Sequence, residues 1–271
     1  MRRVVTTHGY SLVELLIVLA IAGLIGGAIL GVYRVSQDTY IRASSLEAAQ
    51  VGARAGLDRM ANELRLIGSF WVGANGAGNA ITAASQSAIT FQADVDADTL
   101  NAAGNEITLT ADAGGGTNTI TVNRITGRSG GNAFIVGESV YIANSGTRDV
   151  RQITNIVGNT LTLATNLSTT YPAGSFVRDV KTITYARNAN ATSTCPALTC
   201  LTRTQGGGGA QPIVDNVTGL TFTYFNSAGG SLGNNPLNLS VIREIQVDLT
   251  VQSPDGSARR MTTRVKPRSL P

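Results

Sequence analysis

The sequence predicts an α+β fold: one long amino-terminal helix packed on an antiparallel β-rich domain that carries an all-β insertion. Three observations predict it. Leu15 to Tyr33 carry no charge, and at 1.5 Å per residue they would span about 28 Å as a helix. Apolar residues then recur every three or four positions up to Ile67, the period of one helix face. Beyond Gly68 the pattern changes to short alternating runs separated by Gly, Asn and Ser, the signature of strands and turns. Composition agrees with a turn-rich chain, since 31 of 271 residues are Gly and only 14% are charged, against about 7% and about 25% in ordinary domains.

The helix is expected from about Ser11 to Ile67, with Gly68 as its stop. Residues 10–33 form its apolar part and 34–68 its amphipathic continuation, in which Leu46, Ala49, Ala53, Leu57, Met60, Leu64 and Ile67 share a face. The uncharged run is close to the thickness of a bilayer core. Arg2 and Arg3 precede it, which places the amino terminus in the cytoplasm and the remainder outside. The competing reading, a cleaved secretory signal, calls for a shorter apolar core and a small-x-small cleavage site. Glu14 opens the apolar run, and a carboxylate in lipid costs about 2.5–3.5 kcal/mol on insertion scales, so it requires a partner. Gly23, Gly27 and Gly31 form a GxxxGxxxG ladder. Such spacing lets helices pack closely in lipid, and it also arises by chance in a Gly/Ala-rich span.

The β-rich part comprises residues 69–98 and 180–271. Its clearest strands are Ala88–Gln92, Thr182–Tyr185, Leu220–Phe225 and Ile242–Val251, followed by a turn at Ser253–Gly256 and a returning strand near Arg260–Val265. In Ile245–Val251 apolar and polar residues alternate, as in a half-buried strand. Residues 99–179 read as the inserted module of five or six strands, including Thr119–Asn123, Ser139–Ala143 and Thr160–Ala164. The module is either a partner-binding face or a structural elaboration.

Several chemistries are disfavoured. The single histidine is His8, so triads and metal sites built on histidine have no ligand or base in the body of the chain. Two cysteines cannot hold a four-thiolate zinc site. No enzymatic activity is expected. Net charge is +4, or +2 without Arg2 and Arg3, too little to argue for nucleic acid. The cluster Arg259, Arg260, Arg264, Lys266 and Arg268 suits a solvated edge strand better than a DNA surface. Asp94, Asp96 and Asp98 match the opening of a calcium loop, but its sixth and twelfth positions are Thr99 and Asn105, not the required Gly and Glu. Calcium is thus a weak candidate there, beside a solvated strand-end turn, and no other cofactor is expected. Cys195 and Cys200 lie on the outer side of the expected span, where an oxidising compartment favours a disulfide. A redox role would call for C-x-x-C spacing. Gly206–Gly209 lacks the lysine and helix of a phosphate loop and reads as a flexible loop tip.

The stretch GYSLVELLIVLA, Gly9 to Ala20, resembles the leader junction of type IV prepilins and pseudopilins: a short basic leader ending in Gly, an aromatic residue, then Ser-Leu-Val-Glu-Leu and an apolar helix. The resemblance implies that residues 1–9 are a leader removed by a prepilin peptidase after Gly9. It implies N-methylation of the new amine on Tyr10, and a Glu14 that neutralises the amine of a neighbouring subunit during filament assembly. An α-amino group is largely cationic at neutral pH, so pairing it with a carboxylate in low dielectric satisfies both groups. Many major pilins carry a helix proline where this chain has Gly31. Looser motifs resemble PilW-type minor pilins and the related J-subunit pseudopilins of type II secretion: SAITFQADVDAD (87–98), TITYARN (182–188), CLTRT (200–204), IVDNVTGLTFTYF (213–225) and IREIQVDLTV (242–251). The resemblance implies a structural subunit of a type IV pilus, or alternatively of a secretion pseudopilus. A membrane-tethered binding or adhesive β domain is a third reading. The implied partners are other pilins, the prepilin peptidase and the inner-membrane assembly platform. The implied location is the bacterial inner membrane with a periplasmic globular part, and then the filament.

Overall fold

A computed structural model describes residues 11–69, 80–95, 106–127, 130–188, 199–206, 208–253 and 256–270. Helix α1 runs Leu12–Arg65, 54 residues or about 80 Å. Ser11 caps its amino end, its hydroxyl accepting from the Val13 amide. The helix continues because nothing in it removes a backbone donor: no proline occurs between Ser11 and Arg65. It ends at Arg65, three residues before the glycine expected to stop it; Gly68, with a φ of +79°, then turns the chain so that its amide meets the Gln92 carbonyl at 3.1 Å. Left-handed backbone of this kind favours glycine.

Among the described residues thirteen strands follow: β1 (Ile81–Ala84), β2 (Ala88–Ala93), β3 (Thr119–Thr121), β4 (Ser139–Asn144), β5 (Thr147–Val157), β6 (Thr160–Leu163), β7 (Phe176–Asn188), β8 (Cys200–Gln205), β9 (Gln211–Asp215), β10 (Val217–Phe225), β11 (Ser231–Gly233), β12 (Glu244–Gln252) and β13 (Ala258–Val265). All pairings between them are antiparallel. The chain is therefore α+β, with one long apolar amino-terminal helix. One sheet has the order β1-β2-β7-β4-β5-β6-β3, with β8 also paired to β7 and β9 to β8; the second is β11-β10-β12-β13.

Two apolar cores result. The first joins the carboxyl-terminal part of α1 to residues of both sheets, including Leu57, Met60, Phe91, Tyr185, Leu201, Phe222 and Leu249. The second gathers Ile107, Phe134, Ile142, Leu161, Tyr171, Val177 and their neighbours. Strand β7 serves both. Its first residues pair with β4, Phe176 with Ala143 through Val180 with Ser139. Its later residues lie between β2 and β8. Residues two apart share a strand face, so Val177, Asp179, Lys181, Ile183 and Tyr185 face one way. The apolar ends of this row enter the two cores. Between them Asp179 and Lys181 are buried and paired at 3.4 Å. A buried charge is tolerated when it is paired.

The sequence-predicted strands at 119–123 and 160–164 are shorter here, and the one at 182–185 lengthens to Phe176–Asn188. Residues 176–181 carry Arg178, Asp179 and Lys181, charges that conceal a strand when burial is inferred from apolar alternation alone.

Candidate functional site: the amino-terminal helix and its anchor

The helix divides sharply. From Leu12 to Ser44 all residues except the half-buried Gly26 are exposed, among them Leu16, Ile17, Leu24 and Ile29. Burial begins at Ala53 and continues through Gly56, Leu57, Met60, Ala61 and Leu64. Exposed apolar patches beyond a few hundred Å² are rare on soluble monomers and mark contacts with lipid or protein. The helix has the length and composition of a membrane span or a signal sequence.

Glu14 completes a capping box. Its Oε2 accepts from the Ser11 amide at 3.1 Å, a bond that satisfies an otherwise orphaned donor. The carboxylate also complements the positive end of the helix dipole. Gly9 and Tyr10 lie outside the described residues. Gly23, Gly27 and Gly31 meet no other part of the described protein: among the described residues a Cβ built at each would have nothing within 4 Å.

Besides its apolar contacts, the covered half is tied down by a polar anchor that no local pattern reveals. Glu63 accepts from the Tyr185 hydroxyl at 2.9 Å and from Arg203 Nε at 2.9 and 3.1 Å. Arg203 also donates to Gln205 Oε1 at 3.0 Å. Burial pushes the Tyr185 hydroxyl well above its usual pKa, and the adjacent Glu63 carboxylate adds to the shift. Nearby, a Cβ at Gly56 would lie 2.2 Å from Val214 Cγ2, so α1 approaches β9 closely enough to demand glycine.

The remaining sequence candidates are dispersed. Asp94 is buried and lies 3.8 Å from Arg178, which also pairs with Glu106; a guanidinium therefore stands beside these two carboxylates. Asp96 and Asp98 lie outside the described residues, among which no group of three acidic, His or Cys side chains is arranged to hold a metal. Cys200 is disulfide-bonded, and Cys195, the other cysteine of the chain, lies outside the described residues. Gly206 lies in the turn between β8 and β9. Its amide meets the Thr182 carbonyl at 2.8 Å, and a Cβ there would crowd Glu138 at 3.0 Å. With Gly208 and Gly209 in its wall, a cleft of about 540 Å³ opens over Glu138, Arg203 and Gln205. In the arginine-rich strand β13, Arg260 pairs with Asp248 at 3.0 Å and Arg264 with Glu244 at 2.8 Å. Two of those cations are thus neutralised within their own sheet.

Comparisons of the chain with protein-family models, curated proteins and solved structures find no match.

Proposed function

We propose that the chain is a structural subunit of a type IV pilus, a minor pilin of the PilW type, that takes part in assembling or priming the filament. The observation that carries this reading is the junction Gly9-Tyr10-Ser11-Leu12-Val13-Glu14 followed by an uninterrupted helix whose first thirty-odd residues are left uncovered by the described residues. Processing after Gly9 would leave a cationic amine on Tyr10, methylated once in this reading. Glu14, already at the first turn, is its counter-charge, first within the subunit and then across to a neighbour. Lipid covers the bare helix before assembly and the helices of other pilins cover it afterwards. Gly23, Gly27 and Gly31 let those helices come close. Residues 99–179 are the inserted module, and the β-rich part is held in the periplasm by the helix.

The test is a deletion strain complemented with wild-type or Glu14→Ala protein, with surface pili counted by electron microscopy and the intact mass of the mature protein measured. Pili lost on deletion, restored by wild type and not by Glu14→Ala, together with a mass lacking residues 1–9 and carrying one methyl group, are the expected results. Normal piliation with failed exoprotein secretion would move the subunit to a type II secretion pseudopilus. An unprocessed chain, or piliation and secretion both indifferent to deletion, would overturn the reading.

A further inference from the structure

The outer face of the β4–β5–β7 sheet carries a groove whose chemistry the pilin reading does not use. Ala143 pairs with Arg148 on β5 and with Phe176 on β7. Directly paired residues share a sheet face, and neighbouring strands lie about 4.8 Å apart. The three side chains therefore stand in line, the alanine making a dip between an aromatic ring and a guanidinium. The result is a groove of about 120 Å³, with Tyr141 at one end and the turn Asn144–Thr147 at the other.

The groove is built on a rigid frame. Ser145 and Gly146 have φ of 43° and 91°, as a two-residue turn matched to the strand twist requires. The Thr147 hydroxyl donates to the Asn144 carbonyl at 2.7 Å. Phe176 is 50% exposed, unlike the other apolar residues that β7 places in the cores. The exposed Arg148 guanidinium makes no hydrogen bond or ion pair among the described residues. The neighbouring Arg151 and Arg178 are both held by acids.

We infer that this groove binds one residue of an acidic saccharide. The aromatic face of Phe176 takes the C–H face of the sugar ring, a large contact area at little conformational cost. Arg148 takes the carboxylate, for which its planar fork is suited to two parallel hydrogen bonds. The Asn144 side-chain amide offers donors to the ring hydroxyls and the Thr147 oxygen, whose proton is given to the Asn144 carbonyl, offers an acceptor. A free cation beside an exposed ring selects an acidic over a neutral sugar, and the single-ring scale of the groove selects a monosaccharide unit over an extended chain.

Saturation-transfer NMR on the full chain in detergent micelles tests this, with the methyl glycosides of glucuronic acid and of glucose as probes, since these differ at the carboxylate alone. The expected result is transfer to the ring protons of the glucuronide, with the glucoside bound about tenfold more weakly, the scale of one charge-assisted hydrogen bond. Arg148→Ala and Phe176→Ala should each weaken the glucuronide by at least about tenfold at an unchanged melting temperature, and Phe176→Tyr should retain it. Equal binding of both glycosides, no transfer to either, or indifference to Arg148→Ala or Phe176→Ala would overturn the inference. Displacement by inorganic phosphate at the concentration of the sugar itself would do the same, by revealing a bare anion site.

Discussion

Removing the Glu63 carboxylate should loosen the helix from the domain by an amount the geometry sets. In Glu63→Ala the Arg203 guanidinium, only 10% exposed, loses both bonds from Nε, and the buried Tyr185 hydroxyl loses its acceptor. Stranding one partner of a buried pair costs about 3–5 kcal/mol. Arg203 keeps Gln205 Oε1, which puts the cost at the lower end, about 3 kcal/mol. Arg59, 52% exposed and 3.3 Å from Glu63, adds little, since exposed pairs are worth less than about 1 kcal/mol. For a domain of this size each kcal/mol moves Tm by about 2–4 °C, so a fall of roughly 6–12 °C is expected in thermal unfolding followed by circular dichroism. Glu63→Gln keeps an acceptor for Tyr185 and should lose about half as much. The triple variant Glu63→Leu, Arg203→Met, Tyr185→Phe replaces the whole polar group by apolar volume, leaves no buried hydroxyl without an acceptor, and should return to within about 1 kcal/mol of wild type. A Glu63→Ala protein that melts within 1–2 °C of wild type would show that the anchor contributes nothing net and would refute the reasoning.

Three further outcomes are expected. Gly56→Ala places a methyl against Val214 Cγ2, and overpacking of about 1–3 kcal/mol should outweigh the gain in helix propensity of about 1 kcal/mol; adding Val214→Ala should restore the denaturant midpoint. Asp149 is fully buried and accepts from the Ser168 amide and hydroxyl at 2.8 Å and from Arg151 at 2.7 Å, so Asp149→Ala should cost about 3 kcal/mol and speed amide exchange at Ser168. Burial raises the hydroxyl pKa of Tyr171, Tyr185 and Tyr224, with Asp149 adding to the shift at Tyr171 and Glu63 at Tyr185. Below the ordinary tyrosine value near 10 both states stay protonated and stability is intact. Above it the unfolded chain releases protons that the folded chain retains, so stability falls as pH rises. Denaturant midpoints measured from pH 9 to 12 should decline, with buried tyrosines ionising only on unfolding.

The legible features were those written locally. An uninterrupted apolar run and an i/i+3/i+4 stripe define α1, because a helix brings near neighbours in sequence onto one face, and Gly68 lies just past its end at Arg65. Alternation in Ala88–Gln92 and Ile245–Val251 marked β2 and β12 for the same reason at period two. The Ser11/Glu14 box was present in the spacing of the two residues, although the sequence drew attention to Glu14 as a charge in an apolar run and not as a cap.

The sequence by itself determined the α+β class, the single long helix and the bareness of its first half. The tertiary structure decided where that bareness ends, through Gly56 against Val214 and Glu63 against Tyr185 and Arg203, partners 122 and 140 positions away. It decided that β7, charged in its middle, runs unbroken through two cores with Asp179 and Lys181 neutralising one another. It also aligned Phe176, Ala143 and Arg148 across three strands. Such alignments depend on register between distant segments, and a shift of one residue would send every side chain to the opposite face. No spacing along one chain segment encodes that choice; the packing of the two cores makes it.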